Sequence, residues 1–153
     1  MEKKIDGAKI NNIGRIIVPI DGSAEMNKVV EKALSLAKEI GRNVIALYVV
    51  DTPRLTEVIP PDETAVAWES ILSTEGQKIL NGIEEKGKRM GVRVVKKVVE
   101  GIPENEIIKE AKKHDLIVMG CKSRGIFDKL LTSSVCEKVL DHSSSSIMTY
   151  QIK

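Results

Sequence analysis

At 153 residues the chain has room for one domain with a single core, and its 42% hydrophobic and 30% charged residues are those of an ordinary globular protein. Aromatics make up only 3%, so the core must be aliphatic. A formal net charge of +2, interspersed rather than blocked, argues against nucleic acid or an acidic membrane surface as a partner.

Residues 1–12 are polar and charged and predict a flexible arm ahead of a domain over 13–153. They lack the apolar stretch of a signal peptide, and no apolar run approaches the roughly 18 residues of a membrane span. The expectation is a cytoplasmic protein with no membrane partner. The two cysteines, Cys121 and Cys136, are too few and wrongly spaced for a metal framework, and read as unpaired thiols in a reducing compartment.

Residues 15–20 form a buried-strand run ended by Asp21-Gly22-Ser23, where the Ser23 hydroxyl is expected to cap the next helix. Met26, Val29, Val30, Ala33, Leu34, Ala37 and Ile40 fall at helical spacing, and Gly41 is a fitting stop. Residues 44–50 are a second continuous apolar run, closed by Asp51. Pro53, Pro60 and Pro61 predict an irregular loop after it. A long helix is expected over 65–90, weakened at the turns of Gly76, Gly82 and Gly87, where a break would be no surprise. Trp68, near its start, reads as a packing residue or as part of a lid.

Residues 92–99 predict a third strand. Pro103 opens a helix to about His114, with Glu104 and Glu106 in its first turn. Residues 116–120 form a short apolar fourth strand. A loop from Cys121 leads through Ser133-Ser134 into a helix ending near His142, and residues 147–152 are the last strand. Continuous apolar strands alternating with helices define an α/β fold: a five-stranded, mostly parallel sheet with helices on both faces. Right-handed crossovers wind it in the Rossmann-like order 3-2-1-4-5, which opens a crevice between the C-terminal ends of strands one and four.

Two segments face that crevice. Asp21, at the end of strand one, can accept a hydrogen bond from a ribose hydroxyl or an adenine amino group. Gly120 lets backbone approach a ligand closely, and the helix beginning at Ser133-Ser134 offers free N–H groups to phosphate, with Lys122 adding charge. Asp51 reads as a turn residue at a strand end. His114 and His142 sit near helix C-termini, where the dipole favours them. No nucleophile is visibly set against a histidine and a carboxylate, and there is neither a P-loop nor a dinucleotide fingerprint.

The residues Val18-Pro19-Ile20-Asp21-Gly22-Ser23, Tyr48-Val49-Val50-Asp51, Gly101-Ile102-Pro103, the strand 116–120 and the segment 130–139 followed by His142 together resemble the universal stress proteins. Order and spacing agree over 13–153. The resemblance implies a stress-response module that binds ATP or AMP in this crevice. Pro19, Ile20, Asp21 and Val49 would form the adenine side. Met119, Gly120, Lys122, Ser123, Ser133, Ser134 and Val135 would form the phosphate side, and magnesium or manganese would enter with ATP. The family's phosphate loop has the form Gly-x2-Gly-x9-Gly-(Ser/Thr). Here the spacing from Gly120 is intact, but Ser123 and Ser133 stand where the second and third glycines would be. A serine costs about 1 kcal/mol or more wherever φ must be positive. The family also has a branch that does not bind ATP and lacks these glycines. A dimeric interaction protein without nucleotide is therefore the alternative, and an enzyme, at most a slow ATP hydrolase, ranks last. The final strand, as a sheet edge, predicts a homodimer through 147–152, in line with the family.

Overall fold

The computed structural model describes residues 12–58, 63–122 and 131–152. The arm expected over 1–12 therefore lies, up to residue 11, outside the described residues. The apolar runs form five strands, β1 (Ile16–Ile20), β2 (Val44–Val50), β3 (Val94–Glu100), β4 (Leu116–Lys122) and β5 (Ser146–Ile152). They pair in one sheet in the order β3-β2-β1-β4-β5, every ladder parallel, as the alternation of strands and helices predicts. The described helices are α1 (Met26–Ile40), α2 (Thr52–Val58), α3 (Glu63–Met90), α4 (Pro103–Glu110) and α5 (Leu131–His142).

Because parallel strands are covered on both faces, successive side chains of each strand enter different cores. On one face Ile16, Val18, Val44, Ala46 and Leu116 meet Val30, Ala33 and Leu34 of α1 and Leu80 and Ile83 of α3. On the other, Ile17, Ile45, Leu47, Ile117 and Met119 meet Ile107 of α4 and Cys136 and Val139 of α5. Gly41 ends α1 in the left-handed region, φ 67°, and its N–H returns to the Ala37 carbonyl.

Several expectations need correction. The stretch after Asp51 is helical over Thr52–Val58; Pro53 sits at its second position, where its missing N–H forfeits nothing. Residues 63–90 form one unbroken helix despite Gly76, Gly82 and Gly87. The third strand runs over Val94–Glu100 and the fourth reaches Lys122. The helix from Pro103 stops at Glu110, so His114 lies beyond it, in the turn closed by the Asp115 N–H on the Lys112 carbonyl. Ser23 does not cap α1, whose N-cap, Glu25, makes no side-chain bond. Trp68 is 45% exposed on α3 and lines no part of the crevice described below.

The expectation of free thiols is overturned as well: Cys121 and Cys136 are joined in a disulfide, with Cα atoms 6.1 Å apart. They are separated by 15 positions, but α5 packs against β4 and brings them together. Distance along the sequence concealed that approach.

Candidate functional site

β1 is fastened to β4 at one end and parted from it at the other. At the N-terminal end the Leu116 N–H donates to the Arg15 carbonyl at 2.9 Å, and the Arg15 N–H donates to Asp115 Oδ1 at 3.1 Å. The Arg15 guanidinium then grips the same carboxylate through Nε at 3.2 Å and Nη2 at 2.6 Å. Burial alone would raise the Asp115 carboxyl, but these bonds and the Lys112 N–H hold it below its ordinary range. The hydrogen bond to Asp115 likewise raises Arg15. From this clamp the β1–β4 register runs only through Ile16↔Leu116 and Ile17↔Ile117, whereas β1 stays paired with β2 as far as Ile20↔Tyr48. Pro19, on a central strand, has no N–H to give to a ladder. It stands where pairing to β2 continues and pairing to β4 has ceased.

The parting opens a cavity of ≈ 330 Å³ at the C-terminal ends of the strands. Pro19, Ile20 and Asp21 line one wall, with Met26 of α1. Leu47, Tyr48 and Val49 of β2 continue it, followed by Asp51 and by Arg54 of α2. Pro103 and Ile107 of α4 lie along the side, and Met119, Gly120, Val135 and Cys136 form the opposite wall. The lining is mostly apolar with a few charged groups at the rim, the usual character of a small-ligand pocket.

Asp21 is held by its own turn. Its Oδ1 accepts from the Ser23 N–H at 2.9 Å and from the Ser23 hydroxyl at 2.7 Å. That arrangement needs the chain to reverse at Gly22, whose φ of 80° suits glycine. Oδ2 takes no hydrogen bond from the described residues, so an exposed, oriented acceptor remains. Asp51 does the turn work expected of it: Oδ1 accepts from the Arg54 N–H at 3.1 Å at the start of α2, while the residue also borders the cavity. The Arg54 guanidinium has no ion-pair partner among the described residues and is a free cation at the rim. Burial, then the negative charges of Glu75 and Asp21, raise the Tyr48 phenol, which stays a protonated donor at neutral pH.

Of the residues predicted from the sequence, Pro19, Ile20, Asp21, Val49, Met119, Gly120 and Val135 come together around this cavity. Ser134 is in the first turn of α5, half-buried and off the cavity lining. Ser133 is the third residue of that helix, which begins at Leu131 rather than at the serine pair. Lys122 ends β4, and Ser123 lies outside the described residues. Tyr48, Arg54, Pro103 and Cys136 were not anticipated. Aligning the ends of the first two strands would have found Tyr48, which pairs with Ile20. Arg54 had no signal apart from the helix that places it. No group of three or more potential metal ligands occurs among the described residues. No described helix is long and apolar enough to cross a membrane.

Fold and cavity together define a doubly wound α/β domain whose crevice lies at the topological switch point. The Universal stress protein family matches residues 12–151. Universal stress protein MJ0531 of Methanocaldococcus jannaschii is 32% identical over 136 residues, 88% of this chain and 79% of that one. A universal stress protein of Methanothermobacter thermautotrophicus is 34% identical over 142 residues, 87% of this chain and 92% of that one. Among solved structures, hypothetical protein MJ0577 superposes with a TM-score of 0.77 at 24% identity, covering 92% of this chain and 98% of its own. A universal stress protein in complex with cAMP gives 0.66 at 19% identity, and one from Archaeoglobus fulgidus in complex with dAMP gives 0.63 at 17%, each over 92% of this chain and 98% of theirs. The chain belongs to the universal stress protein family.

Proposed function

We propose that this protein is a stress-response module that holds an adenine nucleotide, ATP or AMP, in the crevice between β1 and β4. One observation carries the reading: the cavity opens where the β1–β4 ladder stops, and it sets an apolar slot of Leu47, Val49 and Met119 beside the free Oδ2 of Asp21. A purine face fits such a slot, and its amino group or ribose hydroxyl supplies the donor the carboxylate lacks. The cAMP and dAMP complexes of structural relatives support the same ligand class. Gly120 and the first turn of α5 then lie on the side left for phosphate. In this reading Mg²⁺ or Mn²⁺ enters with ATP, coordinated chiefly by phosphate oxygens. The protein works as a cytoplasmic homodimer through the edge strand β5, with hydrolysis slow at most.

The test is direct. Freshly purified protein is denatured and the supernatant searched for nucleotide by mass spectrometry; empty protein is titrated calorimetrically with ATP and magnesium. Released adenine nucleotide or saturable heat is expected, and absence of both at millimolar ATP removes the reading. A second reading, a dimeric interaction protein without nucleotide, is favoured by one feature, the serines at 123 and 133 in place of loop glycines. It gains what the first loses in that experiment.

A further inference from the structure

We propose that Cys121 and Cys136 form a reversible thiol–disulfide site that sets the shape of the crevice wall and so regulates its occupancy; this rests on the reading of the crevice as a nucleotide site. The chain has two cysteines; Cys136 lines this wall and Cys121 is bonded to it. Cys121 is near the end of β4, next to Gly120, and Cys136 is in α5, next to Val135. Gly120, Val135 and Cys136 all line the cavity, so the disulfide ties the strand side of the wall to the helix side. With no third cysteine, no competing pairing exists. Disulfides are rare as permanent staples in a reducing compartment, and a pair placed at a ligand site there is characteristically one that exchanges.

Both redox states are satisfied. Cys136 is 5% exposed, and its sulfur lies 3.6 Å from the Gly120 carbonyl oxygen, an acceptor ready for the S–H that reduction would create. Cys121 is half-buried, the more exposed of the two residues, and in this proposal it is the one attacked. A thiolate of a dithiol reductant attacks Cys121 Sγ; the protein S–S bond breaks, and its electron pair leaves on Cys136 Sγ, which takes a proton. The reductant's second thiolate then attacks the mixed disulfide and releases Cys121 as a thiolate, which is protonated. One protein disulfide and one dithiol thus give two protein thiols and one oxidised dithiol; oxidised glutathione, consumed as two glutathione thiols, drives the reverse. Oxidised protein holds the wall preorganised, and reduced protein must order it on binding.

Full-length protein is equilibrated in glutathione or dithiothreitol buffers of graded poise. Free thiols are counted by alkylation and mass spectrometry, affinity for ATP with magnesium is measured by calorimetry, and amide exchange is followed across α5. The expected result is a reversible two-thiol transition, with affinity about tenfold weaker and α5 exchange faster in the reduced form. Cys121→Ser should behave as reduced protein in every buffer. Thiols that never respond to the buffer, or equal affinity in the two states, overturn the proposal. Should neither state bind nucleotide, faster α5 exchange on reduction keeps the redox site and rejects the ligand, whereas unchanged exchange rejects both.

Discussion

The three glycines of α3 give a graded test of how this helix is seated. A β-carbon at Gly82 would meet nothing within 4 Å, so Gly82→Ala should collect the full helix-propensity difference and stabilise the protein by about 0.8–1 kcal/mol. At Gly76 the added carbon would lie 2.5 Å from Tyr48 Cδ1 and 2.9 Å from Cγ and Cε1. The same propensity gain is then set against overpacking of about 1–3 kcal/mol, leaving a net loss of up to about 2 kcal/mol. At Gly87 the carbon would lie 2.6 Å from Val94 Cγ2 and 2.8 Å from the backbone oxygen of Val92, which cannot rotate aside. Gly87→Ala should therefore be the worst of the three. Urea unfolding followed by circular dichroism measures the series, and near this chain length each kcal/mol moves Tm by about 2–4 °C. The Tyr48 ring also lines the crevice, so Gly76→Ala should weaken nucleotide binding while Gly87→Ala, far from the lining, leaves the affinity of the folded protein unchanged. Equal stabilities across the three variants, or a Gly82→Ala that destabilises, would refute this account of the seating.

At the opposite end of the sheet, Asp115→Asn removes the charge that Arg15 grips. Arg15 keeps 26% exposure, so the loss should fall near the low end of the range for broken buried pairs, about 3 kcal/mol, read from denaturant midpoints. The wild type carries a matching pH signature. The folded Asp115 carboxyl titrates below its unfolded value of about 3.9, so its stabilisation is complete above that value and is lost as pH falls through the folded one. Asp115→Asn should flatten this part of the acid limb; an unchanged limb would show that the clamp contributes no linkage. In the crevice, Asp21→Ala should weaken adenine nucleotide binding about 10- to 150-fold, the equivalent of one charged hydrogen bond of about 1.5–3 kcal/mol, at a stability cost of about 1 kcal/mol for the lost Ser23 bonds. Light scattering at micromolar protein should report twice the chain mass, and a clean monomer would reject pairing through β5.

The sheet order was legible because it rests on simple signals: continuous apolar strands, right-handed crossovers, and a glycine after α1 and after α3. What escaped had local signals that were overruled by packing. Pro53 reads as a breaker, yet it occupies the one part of a helix that tolerates it. Gly76 and Gly87 read as weak points, yet each is where another group comes too close for a side chain: the Tyr48 ring at one, β3 and the Val92 carbonyl at the other. Ser23 reads as a helix cap, but its hydroxyl and its N–H both turn back to Asp21. The disulfide could not be read at all, since pairing depends on where the return from β4 to α5 lands. The places of Pro19, Ile20, Val49, Met119 and Gly120 at the crevice were legible because they sit at strand ends, whose placement follows from topology. Ser133 and Ser134 were read as the start of the last helix, whereas it begins at Leu131.

The same contrast explains why the crevice is where it is. Parallel strands pair as long as both chains can supply N–H and C=O groups in register. Arg15 and Asp115 commit β1 and β4 to pairing at their N-terminal ends, and Ile17↔Ile117 is the last pair they sustain. Beyond it, Pro19 withholds a donor and the two strands lead away to helices on opposite faces of the sheet, β1 to α1 and β4 to α5. The opening is thus produced by backbone connectivity and one proline, before any ligand-binding side chain is considered. Substitutions at Asp21, Arg54 or the cysteines should therefore change what the crevice holds, and how tightly, without closing it. Closing it would require re-pairing two strands that the topology sends apart.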